Sequence, residues 1–191
     1  MTRGNDSNGP RHTFALWLTG LPAAGKTTLA GEIAGRLRHM DVPACLLDGD
    51  VMRRGLNADL GFSEADREEN VRRAAEVTKL LLDSGVIVVV ALISPFRAGR
   101  RRARELVGAE RFIELFVDAP LEICQRRDPK GLYARAQAGE ITDLTGIGSP
   151  YEPPRYPEIH LRSDRDTPQA LADEVIRYLR DEGRLQDRGE S

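Results

Sequence analysis

The stretch Gly20-Leu21-Pro22-Ala23-Ala24-Gly25-Lys26-Thr27 has the pattern G-x-x-x-x-G-K-T, a complete phosphate-binding loop. An apolar run at 13–18 precedes it, and a run with leucine and isoleucine at helical spacing follows it at 28–37. In this strand–loop–helix order the backbone N–H groups can face nucleotide phosphates. Lys26 is then expected to reach the β- and γ-phosphates, and Thr27 to bind Mg²⁺. The stretch predicts an α/β fold that binds a nucleoside triphosphate.

The rest of the chain alternates short apolar runs with longer amphipathic ones, which is typical of a parallel sheet covered by helices. The predicted strands span 13–18, 44–47, 86–93, 112–117 and 159–161. The predicted helices span 26–40, 64–83, 95–107, 121–127 and 168–182. The prediction is a three-layer sandwich whose mostly parallel, five-stranded sheet has helices on both faces.

Hydroxyl side chains precede three of the predicted helices and are expected to cap them. Ser63 with Asp66 three residues later resembles a capping box. Ser94 and Thr167 each stand directly before a proline at a predicted first helical position. By contrast, the segment 128–157 is rich in glycine, proline and polar residues, and we expect it to form a lid.

Length and charge restrict the class of protein. A chain of 191 residues with a net charge of -2 fits one domain and does not favour nucleic acid as a partner. The longest apolar run, 86–93, is too short to cross a bilayer, and the two cysteines lack zinc-site spacing. We expect a cytoplasmic enzyme without a membrane partner, built as a domain over 12–182 between flexible tails at 1–11 and 183–191.

Two carboxylates, Asp48 and Asp50, follow the second predicted strand. Ligands of open α/β sheets gather beyond the carboxyl ends of strands, so both carboxylates are expected beside the phosphate-binding loop. Phosphoryl transfer needs anchored Mg²⁺ and a group that orients the attacking hydroxyl, and two carboxylates can divide these tasks. An Asp-Gly-Asp turn with solvated carboxylates is the alternative.

A second group of candidates follows at Arg53, Phe62, Arg67 and Asn70. Phe62, in a glycine-rich loop, can hold a planar ring, whereas Arg67 and Asn70 share one helix face and can bind an anion. The alternative is that these charges form ordinary surface ion pairs. The residues alone leave both interpretations open.

These motifs together resemble the adenylylsulfate (APS) kinases, a family of P-loop kinases that phosphorylate the 3′-hydroxyl of adenosine 5′-phosphosulfate with ATP, giving 3′-phosphoadenylylsulfate (PAPS) and ADP. The resemblance covers most of the chain. It rests on the phosphate-binding loop and on the segments at 47–50, 53–63, 66–73, 93–97, 127–133, 145–147 and 149–152.

The resemblance implies a role for each matching position. The implied catalytic residues are Lys26, Asp48, Asp50 and Ser94, with Mg²⁺ at Thr27 and Asp48. Asp48 is favoured over Asp50 for orienting the 3′-hydroxyl or accepting its proton. The implied ATP-binding residues are Gly20, Leu21, Pro22, Ala23, Ala24, Gly25, Lys26, Thr27, Thr28, Arg126 and Arg127. The implied APS-binding residues are Asp50, Arg53, Phe62, Arg67, Asn70, Ile93, Ser94, Lys130 and Leu144. Phe62 is expected to stack on the APS adenine, and Arg53, Arg67 and Lys130 to meet its sulfate–phosphate anion.

Several alternatives remain at this level. Ser94 is either a phosphorylated intermediate, as assigned in the family, or a helix cap that contacts phosphate. Pro22, Val51 and Leu144 stand where the family usually has serine, asparagine and phenylalanine. Two alternatives to an APS kinase therefore stay open. One is a related kinase that phosphorylates an acceptor other than APS, and the other is a non-catalytic nucleotide-binding subunit of a sulfate-activating complex. A homodimer and a separate ATP sulfurylase chain are the expected protein partners.

Overall fold

The computed structural model describes residues 13–185, and the predicted tail at 1–11 lies outside them. Five strands form one sheet: β1 Ala15–Thr19, β2 Ala44–Asp48, β3 Ile87–Ala91, β4 Phe112–Asp118 and β5 Ile159–Arg162. Their order is β2-β3-β1-β4-β5, and every neighbouring pair is parallel. The predicted five-stranded sheet is confirmed, and it is wholly parallel over the described strands.

Seven α-helices connect and cover these strands within residues 13–185. They are α1 Lys26–His39, α2 Gly49–Arg53, α3 Glu64–Asp83, α4 Arg97–Val107, α5 Leu121–Arg127, α6 Leu132–Gln137 and α7 Pro168–Asp181. None of the described helices has the length and apolar composition needed to cross a bilayer.

The two faces of the sheet bury alternate residues of the same strands. Leu16 and Leu18 of β1 pack in the core that contains α1 and α7. Ala15 and Trp17 point to the opposite core, which contains α3 and α4. Since both faces of β1 and β3 are covered, these strands are buried throughout and apolar except for Thr19, as is usual for parallel strands. The predicted three-layer arrangement is confirmed.

The strand order creates a crevice beside β1. The chain leaves β1 toward β2 and β3 on one side and reaches β4 and β5 on the other. A reversal of this kind separates the loops at the carboxyl ends of the strands and leaves room for a ligand. The phosphate-binding loop, Asp48 and the Ile93–Ser94 turn all follow strands at this edge of the sheet.

Two of the three predicted helix caps form in the structure, and one does not. The Ser63 and Thr167 hydroxyls each accept a backbone N–H bond at 3.2 Å, which confirms both caps. The cap predicted at Ser94 is wrong, because α4 begins at Arg97. The Glu152 carboxylate accepts the backbone N–H of Arg97 at 2.7 Å, so a distant segment caps this helix.

Two short helices and one boundary also differ from the prediction. Helix α2 has five residues and α6 has six, and elements this short carry little periodic signal. The lid segment 128–157 therefore contains a helix. The packed chain also extends past 182, into the predicted C-terminal tail, because Leu185 is buried in the core next to α7.

Candidate active site

A single cleft of about 630 Å³ lies at the carboxyl ends of β1, β2 and β3. Four regions of the chain line it: the phosphate-binding loop, the segment from β2 to α3, the end of β3 with the turn that follows it, and the predicted lid at 128–157. The predicted site residues that line it are Pro22, Ala23, Gly25, Lys26, Thr27, Asp48, Asp50, Arg53, Phe62, Arg67, Asn70, Ile93, Ser94, Lys130 and Leu144. The two predicted halves of the site therefore share one cavity.

The loop begins at a position that accepts only glycine. Gly20 has φ +151°, and a Cβ atom there would lie 2.3 Å from the carbonyl oxygen of Val117 in β4. That distance is far below van der Waals contact, so any side chain would push the loop off the sheet. Gly25, with φ +95°, forms the N-terminal boundary of α1. The glycines fix the loop between β1, β4 and α1.

Lys26 is buried at the base of the cleft. Its Nζ donates to the carbonyl oxygens of Gly20 at 2.8 Å and Leu21 at 2.7 Å. Burial lowers the pKa of Lys26 to about 8, and the positive charge of Lys130 acts in the same direction. The nearby acidic groups oppose this shift. An ammonium group so poorly hydrated gains strongly from an anionic partner such as a phosphate.

Thr27 and Asp48 meet at the other side of the loop. The Thr27 hydroxyl donates to Asp48 Oδ2 at 2.7 Å, which leaves the hydroxyl lone pairs available to a cation. Asp48 Oδ1 accepts the backbone N–H of Asp50 at 2.9 Å and so caps α2. This is not the solvated turn that was the alternative for Asp48, because the residue is buried.

These oxygens suit Mg²⁺ in the manner of nucleotide-binding enzymes. Within residues 13–185 no cluster of three or more acidic, histidine or cysteine residues could hold a metal by itself. Mg²⁺ retains several waters and commonly uses one or two protein oxygens together with substrate phosphates. A hydroxyl and a carboxylate beside a phosphate-binding loop meet that requirement.

Two guanidinium groups surround the Phe62 ring. The Arg53 Cζ lies 4.4 Å from the ring centroid, and the Arg67 Cζ lies 5.7 Å from it. Arg53 donates to the Gly61 carbonyl at 2.9 Å, and Arg67 Nε donates to the Phe62 carbonyl at 2.8 Å. Burial lowers the pKa of both guanidinium groups, and for Arg67 the nearby charge of Arg53 adds to the effect.

This geometry favours anion binding over surface ion pairing for the predicted site residues at Arg53, Phe62, Arg67 and Asn70. Arg67 is buried, and its N–H groups meet carbonyl oxygens of Phe62 and Asp143 instead of a carboxylate. The surface ion pairs form on the neighbouring residues, as in the pair between Arg72 and Glu69. Two partly desolvated cations beside an exposed aromatic ring have the chemistry to bind an anion attached to a planar group.

Two further contacts position side chains on the side of the cleft opposite the phosphate-binding loop. Asn57, which is fully buried, donates to Asn70 Oδ1 at 2.8 Å and thereby orients that amide. Lys130 Nζ forms an ion pair with Asp50 Oδ2, so the lid meets α2 across the cleft. Asn57 was not predicted as a site residue, and its position within a loop gave no signal of this contact.

The turn at Ile93 and Ser94 has a strained backbone. Ser94 has φ +39°, a left-handed conformation that costs a non-glycine residue on the order of 1–3 kcal/mol. Its hydroxyl is buried and accepts the indole N–H of Trp17 at 3.2 Å. The contact is to a donor and not to a general base, so the structure gives the hydroxyl no activating partner.

The lid is joined to the phosphate-binding loop by α6. The Asp128 carboxylate accepts the backbone N–H groups of Leu132, Tyr133 and Ala134 at 2.8, 3.0 and 3.0 Å, and so begins this helix. The Tyr133 hydroxyl donates to the Pro22 carbonyl at 3.1 Å in a buried contact. Asp128 and Tyr133 belong to a motif noted in the sequence, but their contacts were not predicted.

Not all predicted ATP residues line the cleft. Gly20, Leu21, Ala24 and Thr28 lie in the loop or the first turn of α1 without lining the cavity. Arg126 is exposed, and Arg127 donates to the Ser163 carbonyl at 2.6 Å beyond the end of β5. The roles of both arginines remain predictions.

Comparison with known sequences identifies the family. A sequence model described as adenylylsulphate kinase matches residues 12–162. The adenylyl-sulfate kinase of Aeromonas salmonicida is 54% identical over 167 residues, which are 87% of this chain and 85% of that protein. The chain also matches the bifunctional enzyme CysN/CysC of Xylella fastidiosa at 53% identity, but it spans only 27% of that longer protein.

Solved structures agree with the sequence matches. The APS kinase CysC of Mycobacterium tuberculosis, solved with AMPPNP and APS, has 48% identity and a TM-score of 0.85, covering 90% of this chain and 99% of that one. A hexameric APS kinase from Thiobacillus denitrificans has 31% identity and a TM-score of 0.71, covering 93% of this chain and 30% of that one. On these grounds the protein belongs to the adenylylsulphate kinase family.

Proposed function

We propose that the protein transfers the γ-phosphoryl group of ATP to the 3′-hydroxyl of APS, giving PAPS and ADP. The observation that carries the proposal is the shared cleft. It places a complete phosphate-binding loop opposite two partly desolvated arginines that flank an exposed phenylalanine. The Mycobacterium tuberculosis structure holds APS and AMPPNP, an ATP analogue, so its ligands are of the same two types.

On the donor side, the loop N–H groups and Lys26 bind the ATP phosphates. The Nζ of Lys26 donates to the Gly20 and Leu21 carbonyls at the base of the loop, and Lys26 itself lines the cleft that would receive the phosphates. Thr27 and Asp48 hold Mg²⁺ through their side-chain oxygens. Bound there, the ion would neutralise the charge that develops on the transferring phosphoryl group.

On the acceptor side, Phe62 stacks on the adenine of APS, and Leu144 covers the ring from the lid. Arg53, Arg67 and Lys130 neutralise the phosphosulfate group, since guanidinium forks suit such anions. Asn70 donates an amide N–H to the same nucleotide, because its Oδ1 is already occupied by Asn57.

The two carboxylates have distinct environments, which divides their tasks. Asp48 already accepts from Thr27 and from two backbone N–H groups, so its main task is to hold the metal and α2. Asp50 lines the cleft, is exposed, and among residues 13–185 forms a side-chain ion pair with Lys130 alone. Asp50 is therefore the carboxylate with room to orient the 3′-hydroxyl, the role that the sequence had favoured for Asp48.

Transfer occurs directly between the two nucleotides in this proposal. Phosphoryl transfer depends mainly on positioning and charge neutralisation, and it needs no covalent intermediate. The Ser94 hydroxyl is held by an indole N–H and lacks a neighbouring base. Ser94 then contacts the acceptor and fixes the turn instead of carrying the phosphoryl group.

The test measures Mg²⁺-dependent ADP release with APS, with adenosine 5′-monophosphate, and without an acceptor. APS-dependent turnover that yields PAPS is expected, and turnover only with another acceptor would refute the proposal. The Ser94→Ala variant should retain turnover. The unsubstituted protein, incubated with ATP, should form no phosphoserine at Ser94.

The carboxylates are compared as Asp48→Asn and Asp50→Asn. Asp48→Asn should lower kcat by about 100-fold or more and raise the Mg²⁺ concentration needed for half-maximal turnover, whereas Asp50→Asn should lower kcat without changing that concentration. The reverse pattern would return the hydroxyl-orienting task to Asp48.

The proposal includes a cytoplasmic homodimer that receives APS from a separate sulfurylase chain. Both cysteines are free thiols, which suits a reducing compartment. Light scattering of the purified protein should give twice the chain mass of 21.2 kDa. A hexamer, as named for the Thiobacillus denitrificans relative, would contradict the dimer.

A further inference from the structure

We propose that Arg100, a buried arginine of α4 outside the cleft, is a positioning residue that sets the Ile93–Ser94 turn for the acceptor nucleotide. The inference rests on the proposed function. Arg100 belongs to an arginine-rich stretch at 97–104. Arg100 has only 3% of its surface exposed and does not line the cavity.

The Arg100 guanidinium group makes three directed hydrogen bonds. One terminal nitrogen donates to the Ser94 carbonyl at 2.6 Å, and the other donates to the Glu152 carbonyl at 2.8 Å. Its Nε donates to Glu114 Oε1 at 2.6 Å, and Glu114 is itself buried. The carboxylate compensates the buried charge, which leaves the two terminal nitrogens free to hold backbone oxygens.

The turn that Arg100 holds is the strained one. Ser94 keeps its left-handed backbone because several groups fix it at once. Arg100 holds its carbonyl, Trp17 holds its hydroxyl, and the Thr19 hydroxyl donates to the adjacent Ile93 carbonyl at 2.7 Å. Of these three, only Arg100 belongs to the helix that follows the turn, so it couples the orientation of α4 to the acceptor side of the cleft.

The same guanidinium group connects the turn to a distant loop. Glu152, whose carbonyl Arg100 binds, also caps α4 at Arg97 and donates its own N–H to the Pro95 carbonyl at 2.9 Å. A lysine at position 100 would keep the charge but has no rigid fork that can reach three acceptors in different directions. The inference therefore depends on the shape of the side chain as well as on its charge.

Kinetics with purified full-length variants test the role. Arg100→Lys should raise the KM for APS or lower kcat, by roughly 10- to 100-fold in kcat/KM, while the KM for ATP changes less than about twofold. The matched control is Arg101→Met, which removes an exposed arginine from the same helix and should match the unsubstituted protein. Equal losses for both nucleotides would overturn the inference.

A double variant separates positioning from stability. Arg100→Met with Glu114→Leu removes both buried charges, and such replacement is often neutral for stability. The thermal midpoint should then stay near that of the unsubstituted protein while the APS defect persists. If the double variant binds and uses APS normally, the guanidinium is not needed to set the turn.

Trp17 provides a readout that does not require turnover. It is the sole tryptophan of the chain, and its indole N–H bonds directly to Ser94. The fluorescence emission of Arg100→Lys should move toward that of Ser94→Ala, which lacks the indole acceptor, whereas Arg101→Met should leave it unchanged. An unshifted emission in Arg100→Lys would refute the positioning role, whether or not the unsubstituted protein uses APS. If Arg100→Lys shifts the emission but the unsubstituted protein does not turn over APS, only the proposed function is refuted.

Discussion

Removal of the Tyr133 hydroxyl should weaken the ATP side of the cleft. This hydroxyl is the buried donor to the Pro22 carbonyl, and it joins α6 to the phosphate-binding loop across 111 residues of sequence. Burial raises the pKa of Tyr133 far above its ordinary value, so the hydroxyl stays protonated at every pH suitable for an assay. Tyr133→Phe keeps the ring in place and deletes only this bond.

The expected loss in the free energy of unfolding of Tyr133→Phe follows from the burial of the hydroxyl and of the Pro22 carbonyl that it contacts. A neutral hydrogen bond contributes about 1 kcal/mol net, and a buried carbonyl left without a donor costs somewhat more, so we expect a loss of about 1–2 kcal/mol. For a chain of this length each kcal/mol lowers Tm by about 2–4 °C. If the same loss appears in ATP binding, the KM for ATP rises about five- to thirtyfold, while the KM for APS changes little.

Differential scanning calorimetry and initial rates at varied ATP concentration measure the two effects. Tyr156→Phe is the matched control, because Tyr156 is 90% exposed and its hydroxyl lies in solvent. If Tyr133→Phe and Tyr156→Phe have the same Tm and the same KM for ATP, the contact to Pro22 does not hold the loop. A Tm loss without a change in the KM for ATP would limit Tyr133 to a structural role.

Two further predictions concern the loop itself. Gly20→Ala should abolish ATP binding and destabilise the fold, because its Cβ would lie 2.3 Å from the Val117 carbonyl oxygen. The control is Gly35→Ala within α1, where an added Cβ would meet no atom of residues 13–185 within 4 Å apart from its chain neighbours and its own helix, and it should raise the free energy of unfolding by about 1 kcal/mol. Thermal melting and nucleotide titration compare the two variants. Binding of ATP at pH 8.5 should take up about three-quarters of a proton, because Lys26 with a pKa of about 8 is mostly neutral at that pH and must become charged against the phosphates. Equal calorimetric enthalpies in buffers of different ionisation enthalpy would contradict this uptake, which should shrink toward pH 7.

The lowered pKa of Lys26 also determines how this residue changes the free energy of unfolding with pH. In the unfolded chain this lysine keeps its ordinary pKa of 10.5, and burial lowers it to about 8 in the folded protein. Below pH 8 both states are protonated, and the folded state bears the full cost of the buried charge. Between pH 8 and pH 10.5 the unfolded state binds more protons, so this group makes the protein more stable as the pH rises.

The elements that the sequence predicted well are those with a strong local pattern. The buried strands are continuous apolar runs, and the phosphate-binding loop is defined by residue types at fixed spacing, so β1, β3 and the loop are recognisable before any packing is known. The predicted residues on the acceptor side of the cleft came instead from the family resemblance, and neighbours such as Arg135 and Glu140 were not predicted. Recognition of a charged planar ligand requires particular side chains, such as Arg67 and Phe62, at particular positions.

The contacts that support those residues could not be predicted, because each one joins distant parts of the chain. Glu152 caps α4 from 55 residues away, and this is why the local Ser94-Pro95 signal was misleading. Arg100 looks like any other arginine of its helix until the fold places it beneath Ser94. A residue type tells which bonds a side chain can make, but only the packed structure tells which partners it meets.

Pro22 illustrates how such a partner changes the meaning of a substitution. A proline in a phosphate-binding loop removes one backbone donor, which by itself predicts weaker phosphate binding. The structure gives the same residue a second function, since its carbonyl accepts the Tyr133 hydroxyl and thereby ties the loop to the lid. Proline keeps that acceptor and restricts the backbone that presents it. The proline therefore costs the loop one N–H contact to phosphate. The contact with Tyr133 is kept, because it uses a backbone carbonyl that any residue at position 22 would provide.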